Sequence, residues 1–184
     1  MAAIRYLRAY HSILAVLVVL AYLTGEAGLI HAWLGYGIAC VLLLRLAAAF
    51  GGVPQLGLMR FYPHFEGLKL DNVFTHPAIS RTLLAGIALC LVGASATGIA
   101  MDRGAAMGLS QLQFADGPNA DEDENQPEET FEFTESWNES LGELHGLLAN
   151  LLMLIVTMHV TYLFLFKRPL ARFMLFLGTP RPHK

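Results

Sequence analysis

The sequence predicts an all-α integral membrane protein: one domain, residues 1–184, built as a four-transmembrane-helix bundle with both termini on the cytoplasmic side. Three observations predict it. Of its 184 residues 55% are hydrophobic and only 15% charged, a balance unusual for a water-soluble domain. Four apolar segments approach or exceed the roughly 20 residues that a helix rising about 1.5 Å per residue needs to cross a bilayer. The basic residues, finally, gather on one side of those segments.

The first span is expected at 10–23, which is short unless the flank from Arg5 also enters the interface. A cleavable leader is the competing reading, since Arg5 and Arg8 precede the apolar run. No small-x-small cleavage site follows before "GEAGLIHAW", so an uncleaved helix is expected. The second span is 29–50, the third 82–101 and the fourth 141–166, separated by loops at 51–81 and 102–140 and followed by a tail at 167–184. Cys40 and Cys90 both fall inside spans, where packing is their expected role.

Charge sets the orientation. Eleven of the twelve Lys and Arg residues lie on the side of the termini and of the loop 51–81, leaving Arg103 alone on the other. By the positive-inside rule the termini are cytoplasmic. The carboxylates are split the opposite way: twelve of the fifteen lie between Asp102 and Glu143. Such a run is either a solvated loop or a docking surface for a basic partner.

The fourth span, "ELHGLLANLLMLIVTMHVTYLFLF", carries His145 and His159. A ligand-capable residue in a span is costly and therefore a functional candidate. Fourteen residues at about 100° each fall roughly 40° short of four turns, so both rings leave one face, about 21 Å apart along the axis. Each has a partner at matching depth: His31 opens the second span level with His145, and His11 opens the first span level with His159.

Two imidazole pairs at two depths suit two haems, because bis-histidine ligation fills both axial positions of iron and leaves an electron-transfer centre. Small residues at Gly35, Gly37, Gly86, Gly93, Ala94, Gly98, Gly146 and Ala149 would let a flat macrocycle approach the helices, although they also serve plain helix packing. Hydrogen bonding between helices and a proton relay are competing uses of the histidines. Zinc would want four ligands in one shell, and no Cys, Asp or Glu joins the histidines. With no C-x-x-C-H motif, covalently attached c-type haem is excluded.

The strings "YHSILAVLVVLAYLTGE", "HAWLGYGIACVLLLRL", "THPAIS", "ATGIAMD" and "ELHGLLANLLMLIVTMHV" resemble, in order, the four-helix di-haem b-type cytochromes: prokaryotic cytochrome b561 and the cytochrome b subunit of nickel-iron hydrogenases. The resemblance implies two haem b ligated from the first, second and fourth helices, which matches His11 with His159 and His31 with His145. It also implies a multi-pass protein of the bacterial inner membrane, with ubiquinone or menaquinone as substrate on one side and a periplasmic redox partner on the other.

Haem propionates want basic groups at the membrane surface. Arg8, Arg45 or Arg81 is expected to serve the cytoplasmic haem, and Arg103 the periplasmic one, where Trp33 or Trp137 is the alternative donor. For the quinone, Tyr62, His64 and His76 in the cytoplasmic loop are the candidates.

Three functions compete. The first is an electron conduit between the quinone pool and a basic c-type cytochrome or dehydrogenase subunit docking at 102–140. The second is a superoxide:quinone oxidoreductase, against which the carboxylates argue, since an anionic substrate needs a positive funnel. The third is a membrane anchor for another subunit, for which two histidine pairs would be an odd design. No nucleic-acid partner is expected.

Overall fold

The computed structural model describes residues 2–50, 77–109 and 128–168, with side chains over 6–50, 78–109 and 136–168. Its elements are α1 (Ala2–Leu23), α2 (Leu29–Phe50), α3 (Pro77–Asp102), a 3₁₀ turn (Ala105–Met107) and α4 (Glu128–Phe166), with no strand among the described residues. Each helix holds a stretch long and apolar enough to cross a membrane: Tyr6–Leu23, Leu29–Phe50, Ala78–Asp102 and Ser136–Phe166.

Local chemistry explains the ends. The hydroxyl of Thr24 donates back to the Leu20 carbonyl at 2.8 Å, closing α1, and Gly28 (φ 52) turns the chain into α2. Pro77 occupies the first position of α3, where its missing N–H costs nothing. At the other end of α3 the chain leaves the helix through Arg103 (φ 48) and Gly104 (φ 78), both left-handed. Asp102 ties this corner down: its Oδ2 accepts from the Tyr36 hydroxyl at 2.7 Å and from the Ala106 N–H at 3.2 Å.

α4 runs for 39 residues, about 58 Å at the usual rise, and is far longer than the expected span. Its first turns, from Glu128, occupy sequence read as loop. The carboxylate-rich composition there hides a stretch without Gly or Pro from Glu128 to Leu141, and acidic residues are favourable at a helix N-terminus.

The core takes one or two residues from every helix: Ala21, Ile38, Cys90, Leu91 and Leu152. α3 and α4 pack most extensively. At Gly93 a Cβ would stand 3.0 Å from Leu148 Cδ1, and at Gly86 it would stand 3.3 Å from Ile155 Cδ1. These two glycines serve helix packing, the route by which membrane helices associate without a hydrophobic drive between them. Cys90 is in the core, whereas Cys40 is exposed on α2. Large apolar side chains such as Leu43, Leu89 and Leu154 point outward, as they do on helices solvated by lipid.

Candidate haem-binding site

α2 and α4 bring His31 and His145 face to edge, with ring centroids 5.9 Å apart and planes at 89°. The two other helices hold the rings. His31 Nδ1 lies 2.9 Å from the Ala21 carbonyl of α1, and His145 Nδ1 lies 3.0 Å from the Ala94 carbonyl of α3. A carbonyl oxygen only accepts, so each Nδ1 carries the hydrogen and each Nε2 keeps its lone pair. The Thr97 hydroxyl oxygen stands 3.1 Å from the same His145 Nδ1.

Cavities flank the two rings. A larger one, ≈ 570 Å³, is lined by His31, Gly35, Tyr36, Gly98, Asp102 and His145 among others, within the usual range of about 300–1,000 Å³ for cofactor pockets. A smaller one, ≈ 70 Å³, lies against the same histidines and is otherwise lined by apolar residues including Ile38, Leu91 and Leu152. Gly35 borders both, and no atom stands within 4 Å of where its Cβ would be.

The second expected pair lies nearer the end of the bundle where α1 begins and α4 finishes. His159 is buried, at 8% exposure, and its Nδ1 has no hydrogen-bond partner. One turn on, the buried hydroxyl of Tyr162 has none either. His11 is exposed on α1, within electrostatic reach of His159. Arg8, Arg45 and Arg81 are half-buried and each is engaged with other groups.

Arg103 donates to Asn138 Oδ1 at 3.1 Å. Neither it nor Trp33 nor Trp137 lines the larger cavity; Tyr36 and Asp102 do. Tyr62, His64 and His76 lie outside the described residues. Among the described residues no group of three or more His, Cys, Asp or Glu gathers.

The family model of prokaryotic cytochrome b561 matches residues 5–176. The chain belongs to the prokaryotic cytochrome b561 family. No curated protein and no solved structure matches it. As a b561-family cytochrome it is a multi-pass membrane protein of electron transfer that binds b-type haem.

The first histidine pair of this cytochrome fits that group. Its two rings come from two different helices and stand with centroids 5.9 Å apart. Each Nδ1 is fixed by a backbone acceptor, which leaves the Nε2 lone pair available to a metal.

Sequence reasoning missed Thr97, Tyr36 and Asp102 at this site. Asp102 closes its helix, where a polar residue attracts no notice, and Tyr36 is one aromatic within an apolar run. Thr97 was the detectable one, a hydroxyl amid the small residues of "GASATGIA".

Proposed function

We propose that this cytochrome carries two haem b and passes electrons across the bacterial inner membrane between the quinone pool and a basic periplasmic redox partner. His31 and His145 hold the periplasmic haem, and His11 and His159 the cytoplasmic one. The observation that carries the reading is the His31–His145 pair: two imidazoles 5.9 Å apart with both Nδ1 atoms held by carbonyls and both Nε2 lone pairs free.

When bound, each haem would supply one-electron redox chemistry, held by the imidazoles of its histidine pair. The chain does the rest. α1 and α3 hold the first two rings through Ala21 and Ala94, so neither ligand has to reorient when the oxidation state changes. α4 carries one ligand for each site about 21 Å apart along its axis, which divides the bilayer crossing into two stages.

The unpartnered Nδ1 of His159 and hydroxyl of Tyr162 support a second polar group at the cytoplasmic end, since buried polar atoms are rarely left alone. Eleven basic residues on the side of the termini support the orientation. A superoxide-oxidising role has less support: the carboxylate of Asp102 lines the larger cavity, and Arg103 is held by Asn138.

The partner reading rests on charge. Twelve carboxylates between Asp102 and Glu143, part of them carried by the membrane-distal turns of α4, would draw a lysine-rich c-type cytochrome. The quinone reading is a proposal from sequence: it would bind at the cytoplasmic face, with Tyr62, His64 and His76 as candidate contacts.

A reduced-minus-oxidised absorption spectrum with a haem-to-protein ratio on the purified chain tests the core of the proposal. Two low-spin b haems per chain are expected. One haem, or none in a folded chain, sinks it. For the quinone, His76→Ala with both haems retained should slow quinol-driven reduction, and unchanged kinetics discard that site.

A further inference from the structure

We infer that Thr97 is a positioning residue for His145 and that its hydroxyl lowers the midpoint potential of the haem held by His31 and His145. The inference rests on the di-haem reading above.

Thr97 is buried, at 8% exposure, five residues before the end of the apolar helix α3. A valine would fill the same space without the cost of burying a hydroxyl. The hydroxyl is within bonding distance of two carbonyls of its own helix, Gly93 at 2.9 Å and Ala94 at 3.1 Å. Such back-bonding is common for threonine in helices and satisfies its hydrogen. Its oxygen has a further contact off the helix, His145 Nδ1 at 3.1 Å.

That nitrogen also faces the Ala94 carbonyl at 3.0 Å. Its hydrogen is therefore shared between two oxygens, one from the backbone and one from Thr97. The arrangement is closed on its fourth side by Gly98, where a Cβ would stand 3.2 Å from His145 Cε1.

An imidazole that donates its Nδ1–H to good acceptors becomes a more basic ligand at Nε2. A more basic axial ligand favours the oxidised iron, and second-shell hydrogen bonding is one of the levers by which a protein sets haem potential. Thr97 adds an acceptor that the backbone alone would not provide. His159 has no acceptor at its Nδ1 among the described residues, so the lever acts on one pair and not the other.

The test is a redox titration of the detergent-purified holoprotein, followed by haem absorbance, for the parent, Thr97→Val, Thr97→Ser and His145→Ala. Haem-to-protein ratios are measured on the same samples. His145→Ala identifies which of the two components belongs to the pair. Thr97→Val should move that component to higher potential, leave the other in place and keep two haems, while Thr97→Ser should return the parent value.

If Thr97→Val loses that haem but Thr97→Ser keeps it at the parent potential, the hydroxyl is again decisive and the inference stands. No shift, an equal shift in both components, or the same change in the serine variant overturns it, the last marking a packing role only. A His145→Ala chain that keeps both haems overturns the di-haem reading instead.

Discussion

Gly98 of α3 faces the ring of His145 so closely that a Cβ on it would stand 3.2 Å from Cε1. The ring therefore owes its place to a missing methyl group. Gly98→Val should push the imidazole off its position and lower the haem-to-protein ratio from about two to about one. Gly142→Ala is the matched control, because its Cβ would meet only Met101 Cε at 3.7 Å, an ordinary contact. Its ratio should stay that of the parent, with stability raised by up to about 1 kcal/mol from helix propensity.

The histidine pairing predicts a pattern of non-additivity. His31→Ala and His145→Ala should each remove one haem, and the double variant should remove no more, since both act on one site. His11→Ala with His159→Ala should behave the same way for the other haem. Combining His31→Ala with His159→Ala should leave none. Haem content of the seven variants decides it, and a double variant within one pair that loses both haems breaks the pairing.

Tyr36 and Asp102 lock the corner between α2 and α3 through a 2.7 Å hydrogen bond. Tyr36→Phe removes a donor to a carboxylate that, among the described residues, keeps the Ala106 N–H as its hydrogen-bond partner. A bond to a charged group contributes about 1.5–3 kcal/mol when well shielded; this half-exposed one should contribute about 1 kcal/mol. Thermal unfolding in detergent should show a lower midpoint for Tyr36→Phe, with both haems retained before the transition.

Partner docking at the acidic segment would depend on salt. The Debye length falls from about 30 Å at 0.01 M to about 8 Å at 0.15 M ionic strength. The second-order rate of electron transfer to a lysine-rich c-type cytochrome should drop steeply over that range. Glu139→Gln and Glu143→Gln should each lower the low-salt rate and flatten its dependence on ionic strength. A rate indifferent to both salt and these substitutions would remove the docking surface from the proposal.

Much of this molecule is readable along the chain because a bilayer imposes strong rules. Every backbone group in hydrocarbon needs an internal partner, so apolar runs of sufficient length become helices. The register of His145 and His159 on one face follows from helical geometry alone. The start of α4 was not readable, because the stretch from Glu128 to Leu141 has the acidic composition of a solvated loop and yet holds no Gly or Pro to stop a helix.

The glycines make the same point from the other side. In sequence Gly35, Gly86, Gly93 and Gly98 look equivalent. In the bundle Gly86 and Gly93 receive Ile155 and Leu148, Gly98 receives a histidine ring, and Gly35 borders open cavity. Which neighbour a glycine meets depends on how two helices are rotated about their axes.

By itself, then, the sequence determined four helices long and apolar enough to cross a membrane, their charge asymmetry, and which of them carry His11, His31, His145 and His159. Only the tertiary structure decided what each imidazole touches. The acceptors for His31 and His145 are the carbonyls of Ala21 and Ala94, groups that every residue possesses, and a helix exposes such an oxygen to a neighbouring side chain only through the packing of one helix against another.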